Sequence, residues 1–180
     1  MSAASREAIP ACTNTSLVYL AASGRPFRVI YKEAPTNDES GNGIELIDWS
    51  ADSRYLLFSV VRWVYESHFW DYKLILYDTR LDVFHRPDQN HIFGKFFKKK
   101  CTIELWGVGF ASQNQVVFRA WDSGDLEYVE IDEGEAAADA LRCVKQPGLW
   151  LLEWHKGRLR QLPANHLVER HGLVEPAPRE

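Results

Sequence analysis

The chain has 180 residues, a length that one hydrophobic core can serve. An apolar fraction of 46% with 26% charged residues excludes a disordered chain, and a formal net charge of −4 argues against a general nucleic-acid binder, which carries a basic face. Seven Trp, seven Tyr and nine Phe favour sheet, because aromatic side chains fit pleated, half-buried surfaces.

Residues 1–15 lack periodicity and read as a flexible N-terminal arm. They hold no continuous apolar core of the kind a secretory signal needs, and no later run reaches the length of a membrane span. The compartment stays open. The chain is cytoplasmic if Met1 is the natural start, and periplasmic if an export signal has been removed. Two short apolar strands follow, Leu17–Ala21 and Phe27–Tyr31, around a turn at Ser23-Gly24-Arg25-Pro26. After a polar loop over Thr36–Gly43, "GIELIDW" gives a strand, Ser50–Arg54 a turn, and Tyr55–Tyr65 a long apolar-aromatic return. "ESHFWD" is an aromatic-rich connection. Lys73–Tyr77 and Asp82–His85 form another hairpin, which Pro87 ends because it cannot donate to a ladder.

Asp88–Lys100 reads as a loop or irregular segment. "CTIELWGVGF" is a strand, "ASQNQ" a turn and "VVFRAW" the returning strand. "DSGD" then turns into "LEYVEID". Glu133–Cys143 is rich in helix formers and reads as a short helix or an acidic loop. "GLWLLEWHKGRLRQLP" closes with a hairpin turning at His155-Lys156-Gly157. The domain is thus expected over residues 16–163, with a polar, frayed C-terminal tail over 164–180.

These segments repeat one another. Ile44-Glu45-Leu46 recurs as Ile103-Glu104-Leu105. Trp49, a turn and Leu56-Leu57-Phe58 recur as Phe110, a turn and Val116-Val117-Phe118. Lys73–Pro87 aligns without gaps on Leu149–Pro163, and Leu17–Ile30 is a looser copy of that hairpin. The unit is four short antiparallel strands, so the fold class expected is all-β, built of four-stranded blade-like units.

"WSADSRYLLFS" (Trp49–Ser59), followed by "LILYDT" (Leu74–Thr79), resembles the blade repeat of TolB-type and other WD40-like bacterial β-propellers. That repeat reads approximately W-S-P-D-G-R-x-[LI]-[AL]-F, then a strand ending in Asp. Here Ala51 replaces the usual Pro and Ser53 the usual Gly, while Asp52 keeps the ability to bond its own backbone and shape the bend. The resemblance implies protein–protein contact, often in the bacterial envelope. The strands amount to about three blades, fewer than the four a closed propeller needs. The expectation is a partial or small propeller-like assembly. An open sheet edge would invite strand addition, including a homodimer.

No catalytic or metal-ligating constellation stands out, and no cofactor motif occurs. The six His are dispersed, and His166 and His171 have the wrong spacing for one helical face. Cys12, Cys101 and Cys143 form no CxxC pair. Cys101 and Cys143 are either bridged in an oxidising compartment or two buried thiols. Recurrence of Glu45 and Glu104 within the repeat argues for a structural role more than an acid–base pair.

Two segments are candidate binding surfaces. In "RWVYESHFWDY" the aromatic residues crowd together, and His68, Phe69, Trp70 and Tyr72 are the expected contacts, being amphipathic interface anchors. Trp63 and Tyr65 either join them or continue a strand into the core. In "HIFGKFFKKK", Phe96, Phe97, Lys98 and Lys99 interleave aromatic and basic groups suited to phosphate, an anionic surface or an acidic protein. The alternative there is a solvated Lys cluster guarding a sticky link. The expected function is a non-enzymatic module binding a protein partner through aromatic loops. Alternatives are an inhibitor or immunity protein against a bacterial toxin enzyme, and a propeller-scaffold hydrolase or lyase.

Overall fold

The computed structural model describes residues 14–21, 26–37, 39–65, 67, 70–122 and 142–172. Their elements run β1 (Leu17–Leu20), β2 (Arg28–Lys32), β3 (Ser40–Trp49), β4 (Tyr55–Val64), β5 (Trp70–Asp78), β6 (Val83–His85), α1 (Gln89–Phe97), β7 (Ile103–Ser112), β8 (Gln115–Asp122), β9 (Gly148–Glu153) and β10 (Arg158–Gln161). The strands form a β1–β2 hairpin and two four-stranded sheets, ordered β3-β4-β5-β6 and β10-β9-β8-β7. All pairings are antiparallel. The chain is all-β, with no closed barrel among the described residues, consistent with the expected partial propeller-like assembly.

The turn after Trp49 shows why this sequence makes hairpins. Ser50 N–H donates to the Tyr55 carbonyl at 2.9 Å, and Tyr55 N–H donates to Ser50 Oγ at 2.8 Å. Ser50 Oγ in turn donates to Asp52 Oδ1 at 2.7 Å, which also accepts Arg54 N–H at 3.2 Å. Ser53 takes the left-handed conformation, φ 56°, that the resemblance reserves for glycine. The hairpin is tied to the next one by Asp78, the acid that ends "LILYD". Its Oδ2 accepts from Arg54 Nη2 at 2.7 Å and Nε at 3.1 Å, while Oδ1 accepts Arg80 and Leu81 N–H at 2.9 and 3.1 Å.

The two sheets stack face to face, and they do so directionally. Leu56, Phe58, Val60, Ile75 and Tyr77 point to one side of the first sheet, where β1–β2 covers them with Val18. Their counterparts by strand pairing in the second sheet are Val116, Phe118, Ala120, Trp150 and Leu152. Those counterparts pack against the other side of the first sheet, on Ile47, Tyr55, Leu57, Leu74 and Leu76. The rear of each sheet therefore receives its neighbour on the same set of positions. The approach is close at Gly107, where a Cβ would stand 2.2 Å from Ile47 Cδ1.

Several sequence expectations change. Asp88–Phe97 is not an irregular segment: Asp88 caps α1, accepting His91 N–H at 3.0 Å, and Phe93 enters the core. The β9–β10 hairpin completes the second sheet, in the place where a strand at "LEYVEID" was expected to follow β8. It corresponds to β5–β6 with Glu153 at the place of Asp78 and Gly157 at that of Asp82, both of the latter at positive φ (58° and 57°). The gap-free sequence alignment is thus one residue out of register. Glu45 and Glu104 are not equivalent either, since Glu45 pairs with Ser59 whereas Glu104 pairs with Trp121.

Residues 162–172, expected to end in a frayed tail, form a strap across the outer face of the second sheet. Leu162 and Val168 pack there with Val117, Leu149 and Leu151. Asp48, buried at the β3 bulge, anchors the strap: its Oδ1 accepts His171 and Gly172 N–H, each at 2.9 Å, and its Oδ2 accepts Phe110 N–H at 3.1 Å. Cys101 and Cys143 are bridged, joining the lead into β7 to the approach to β9. The strand expected at "LEYVEID", most of Glu133–Cys143, Cys12 and the tip of the first turn lie outside the described residues.

Candidate functional site

β4 and β5 are longer than the part of the first sheet that the second sheet covers. Their far ends pair Val61 with Tyr72 and Trp63 with Trp70, so these side chains continue on the stacking face past its neighbour. β3 runs alongside with Gly41 opposite Trp63 and Gly43 opposite Val61. Those glycines are a floor for the indole: a Cβ on Gly41 would lie 2.3 Å from Trp63 Cε2. Trp63 is half-buried and Tyr65 exposed, so neither continues into the core.

The rings form one connected strip. Tyr65 and Trp63 meet edge-on at 6.5 Å, Trp63 and Trp70 lie 5.7 Å apart, and Trp70 stacks on Tyr72 at 6.3 Å. Tyr72 then reaches the second sheet, meeting Trp106 at 5.6 Å and Trp121 at 5.9 Å. The strip turns over β7, the edge strand of that sheet. It is accessible, with Tyr65 48%, Trp70 45% and Trp106 39% exposed. Carboxylates flank it. Glu104 accepts Trp121 Nε1–H at 3.1 Å, and burial together with the charges of Glu104 and Glu45 raises the Tyr72 phenol above its usual range. Burial also raises the Glu45 carboxyl, against the opposing pull of Arg170. The arrangement offers flat apolar rings, rigidly spaced by sheet pairing, beside negative charge.

Of the residues expected from sequence, Trp70 and Tyr72 lie in this strip, and His68 and Phe69 lie outside the described residues. Phe96, Phe97, Lys98 and Lys99 belong to another element. Phe97 packs on Trp150 at 5.9 Å, and Phe96, 46% exposed, stands edge-on to the same indole at 5.5 Å. Lys98 takes φ 56° as the C-cap of α1, and Lys99 Nζ donates to the Arg142 carbonyl. Trp106 and Trp121 were not singled out by sequence. Their signal was alternation, since Trp106 lies between inward Leu105 and Gly107, and Trp121 follows inward Ala120.

Elsewhere, Glu33 is a buried carboxylate engaged by the Tyr31 hydroxyl at 2.5 Å and by Arg62. His85 and His155, far apart in sequence, come within 6.3 Å around Trp154. No group of three or more metal-ligating side chains occurs among the described residues, and no described helix is long and apolar enough to cross a membrane. No family model, no curated protein and no solved structure matches the chain.

Proposed function

We propose that this protein is a non-enzymatic binding module that recognises a protein partner through the aromatic strip Tyr65–Trp63–Trp70–Tyr72–Trp106. The observation that carries the reading is the continuity of the strip across two sheets with Tyr65, Trp70 and Trp106 exposed. Trp and Tyr are the side chains that most often dominate protein interfaces, because they bury large rigid areas at low entropic cost. Glu45 and Glu104 at its margin suit a partner segment that presents apolar and basic groups, the cations resting over the rings. The directional stacking of the sheets supports a propeller-type scaffold for this surface. The Cys101–Cys143 bridge supports an oxidising compartment such as the periplasm.

The test is affinity capture with immobilised protein, comparing wild type, the Trp70→Ala/Trp106→Ala double variant and Leu81→Ala. Leu81 is equally apolar and 63% exposed, but lies in the turn at the opposite end of β5. A partner recovered by wild type and Leu81→Ala, and reduced about tenfold or more by the double variant, is expected for two lost hot-spot residues. Full recovery with the double variant would remove the strip from the binding surface.

A further inference from the structure

Where the strap crosses the second sheet it leaves a cavity of about 700 Å³, within the range of small-molecule sites. Its floor is the outer face of β7, β8 and β9. Trp106, Arg119 and Leu149 are consecutive cross-strand partners there, and Trp121 lies two residues beyond Arg119 on the same face. The strap supplies the opposite wall with Val168 and Arg170.

The lining is apolar and basic without a single acid, in a chain whose formal net charge is −4. Arg170 donates from Nε to the Val108 carbonyl at 3.0 Å, which fixes the guanidinium and leaves its two terminal nitrogens available. Arg119 is exposed and makes no hydrogen bond or ion pair among the described residues. Neighbouring acids stand outside the lining: Glu169 lies between Val168 and Arg170 in the strap, Glu45 acts on Arg170, and Glu104 is engaged by Trp121. Two guanidinium groups, one from the floor and one from the strap, among two indoles and two aliphatic side chains match an amphipathic anion. The rings and Leu149 take its body, and the arginines take its head in bidentate fashion.

We infer that this cavity is a binding site for a small amphipathic carboxylate, with Arg119 and Arg170 holding the carboxylate and Trp106, Trp121, Leu149 and Val168 the apolar part. It is a site separate from the protein-binding reading, although Trp106 touches both. Arg119 takes no part in the aromatic strip, so its substitution separates them.

The experiment titrates the intact protein with octanoate and indole-3-acetate, and with the neutral octanamide and indole-3-acetamide, by calorimetry and tryptophan fluorescence. The expected result is saturable binding of at least one carboxylate, with its amide about tenfold weaker or more, as loss of charge-assisted hydrogen bonds requires. Arg119→Gln and Arg170→Gln should each weaken the carboxylate about tenfold while leaving the amide unchanged. Circular dichroism confirms the fold of each variant. Should a variant misfold, the carboxylate-to-amide comparison on wild type decides alone. Absence of saturable binding, equal binding of carboxylate and amide, or carboxylate binding indifferent to Arg119→Gln in a folded variant would each overturn the inference. Arg119→Gln should also leave partner capture intact, so either reading can fail without the other.

Discussion

Replacing Asp78 by Asn tests how the two hairpins of the first sheet are locked together. The side chain is 1% exposed, and its two oxygens divide their work: Oδ2 binds Arg54, Oδ1 the amides of Arg80 and Leu81. Asn keeps the shape and one acceptor oxygen, but removes the charge. The Arg54 hydrogen bonds, with help from those two amides and against the cost of burial, depress the Asp78 carboxyl from 3.8 to about 2. A shift of that size corresponds to about 2 kcal/mol of stability at neutral pH. The folded-state value is the lower one, so this contribution is fully present above the unfolded value and lost as pH falls from about 4 through about 2. Urea denaturation of wild type and Asp78→Asn should therefore differ by about 2 kcal/mol at pH 7 and by roughly half of that near pH 3. Comparing the two proteins at each pH cancels the other carboxylates. A difference below about 0.5 kcal/mol at pH 7, or one that does not shrink at pH 3, would show that the Arg54 pair is not what holds the hairpins.

The Cys101–Cys143 bridge closes a sequence separation of 42 residues, for which chain entropy gives about 4 kcal/mol as an upper figure. A reductant should lower the urea midpoint of wild type and leave that of the Cys101→Ser/Cys143→Ser variant unmoved; a reductant-insensitive wild type would count against a formed bridge. Ser53→Gly relieves the left-handed strain at φ 56°, partly offset by the greater freedom of glycine in the unfolded chain. The net gain should be about 0.5 kcal/mol in a thermal or urea melt, and a loss of stability would mean that the Ser side chain itself supports the turn.

The sequence showed its hairpins well where turn chemistry is local. Asp52 bonds Arg54 N–H as its place in the turn suggests, and Leu56–Phe58 return into the sheet opposite Tyr77–Ile75. Register was harder to read, for a physical reason. Leu74–Asp78 and Leu149–Leu152 are buried on both faces, so the alternation that would expose a one-residue slip is missing. The two "IEL" stretches match two residues away from the true pairing, in which Ile44 corresponds to Leu105; the bulges at Ile47 and Val108 fall at the same place in both sheets and cancel, and a slip of two preserves the face and goes unnoticed. The helix was legible but obscured: Phe93, Phe96 and Phe97 carry the i, i+3, i+4 spacing behind an Asp cap, among lysines that suggested a loop. The step of the aromatic strip from one sheet to the other could not be read. Trp106 joins Tyr72 only because one sheet is stacked on the other, and that juxtaposition has no counterpart in sequence spacing.

The directional stacking gives the molecule a front and a rear that cannot be interchanged. Two copies meeting through such faces would join front to rear, a contact with no two-fold axis that leaves one free face at each end and so propagates. Asp48 bears on which of these faces stays open. By pinning His171 and Gly172, it keeps the strap seated on the outer face of the second sheet, much as a terminal cap ends a repeat array. The carboxylate that fastens the strap to the bulge thereby also keeps that face of the second sheet covered.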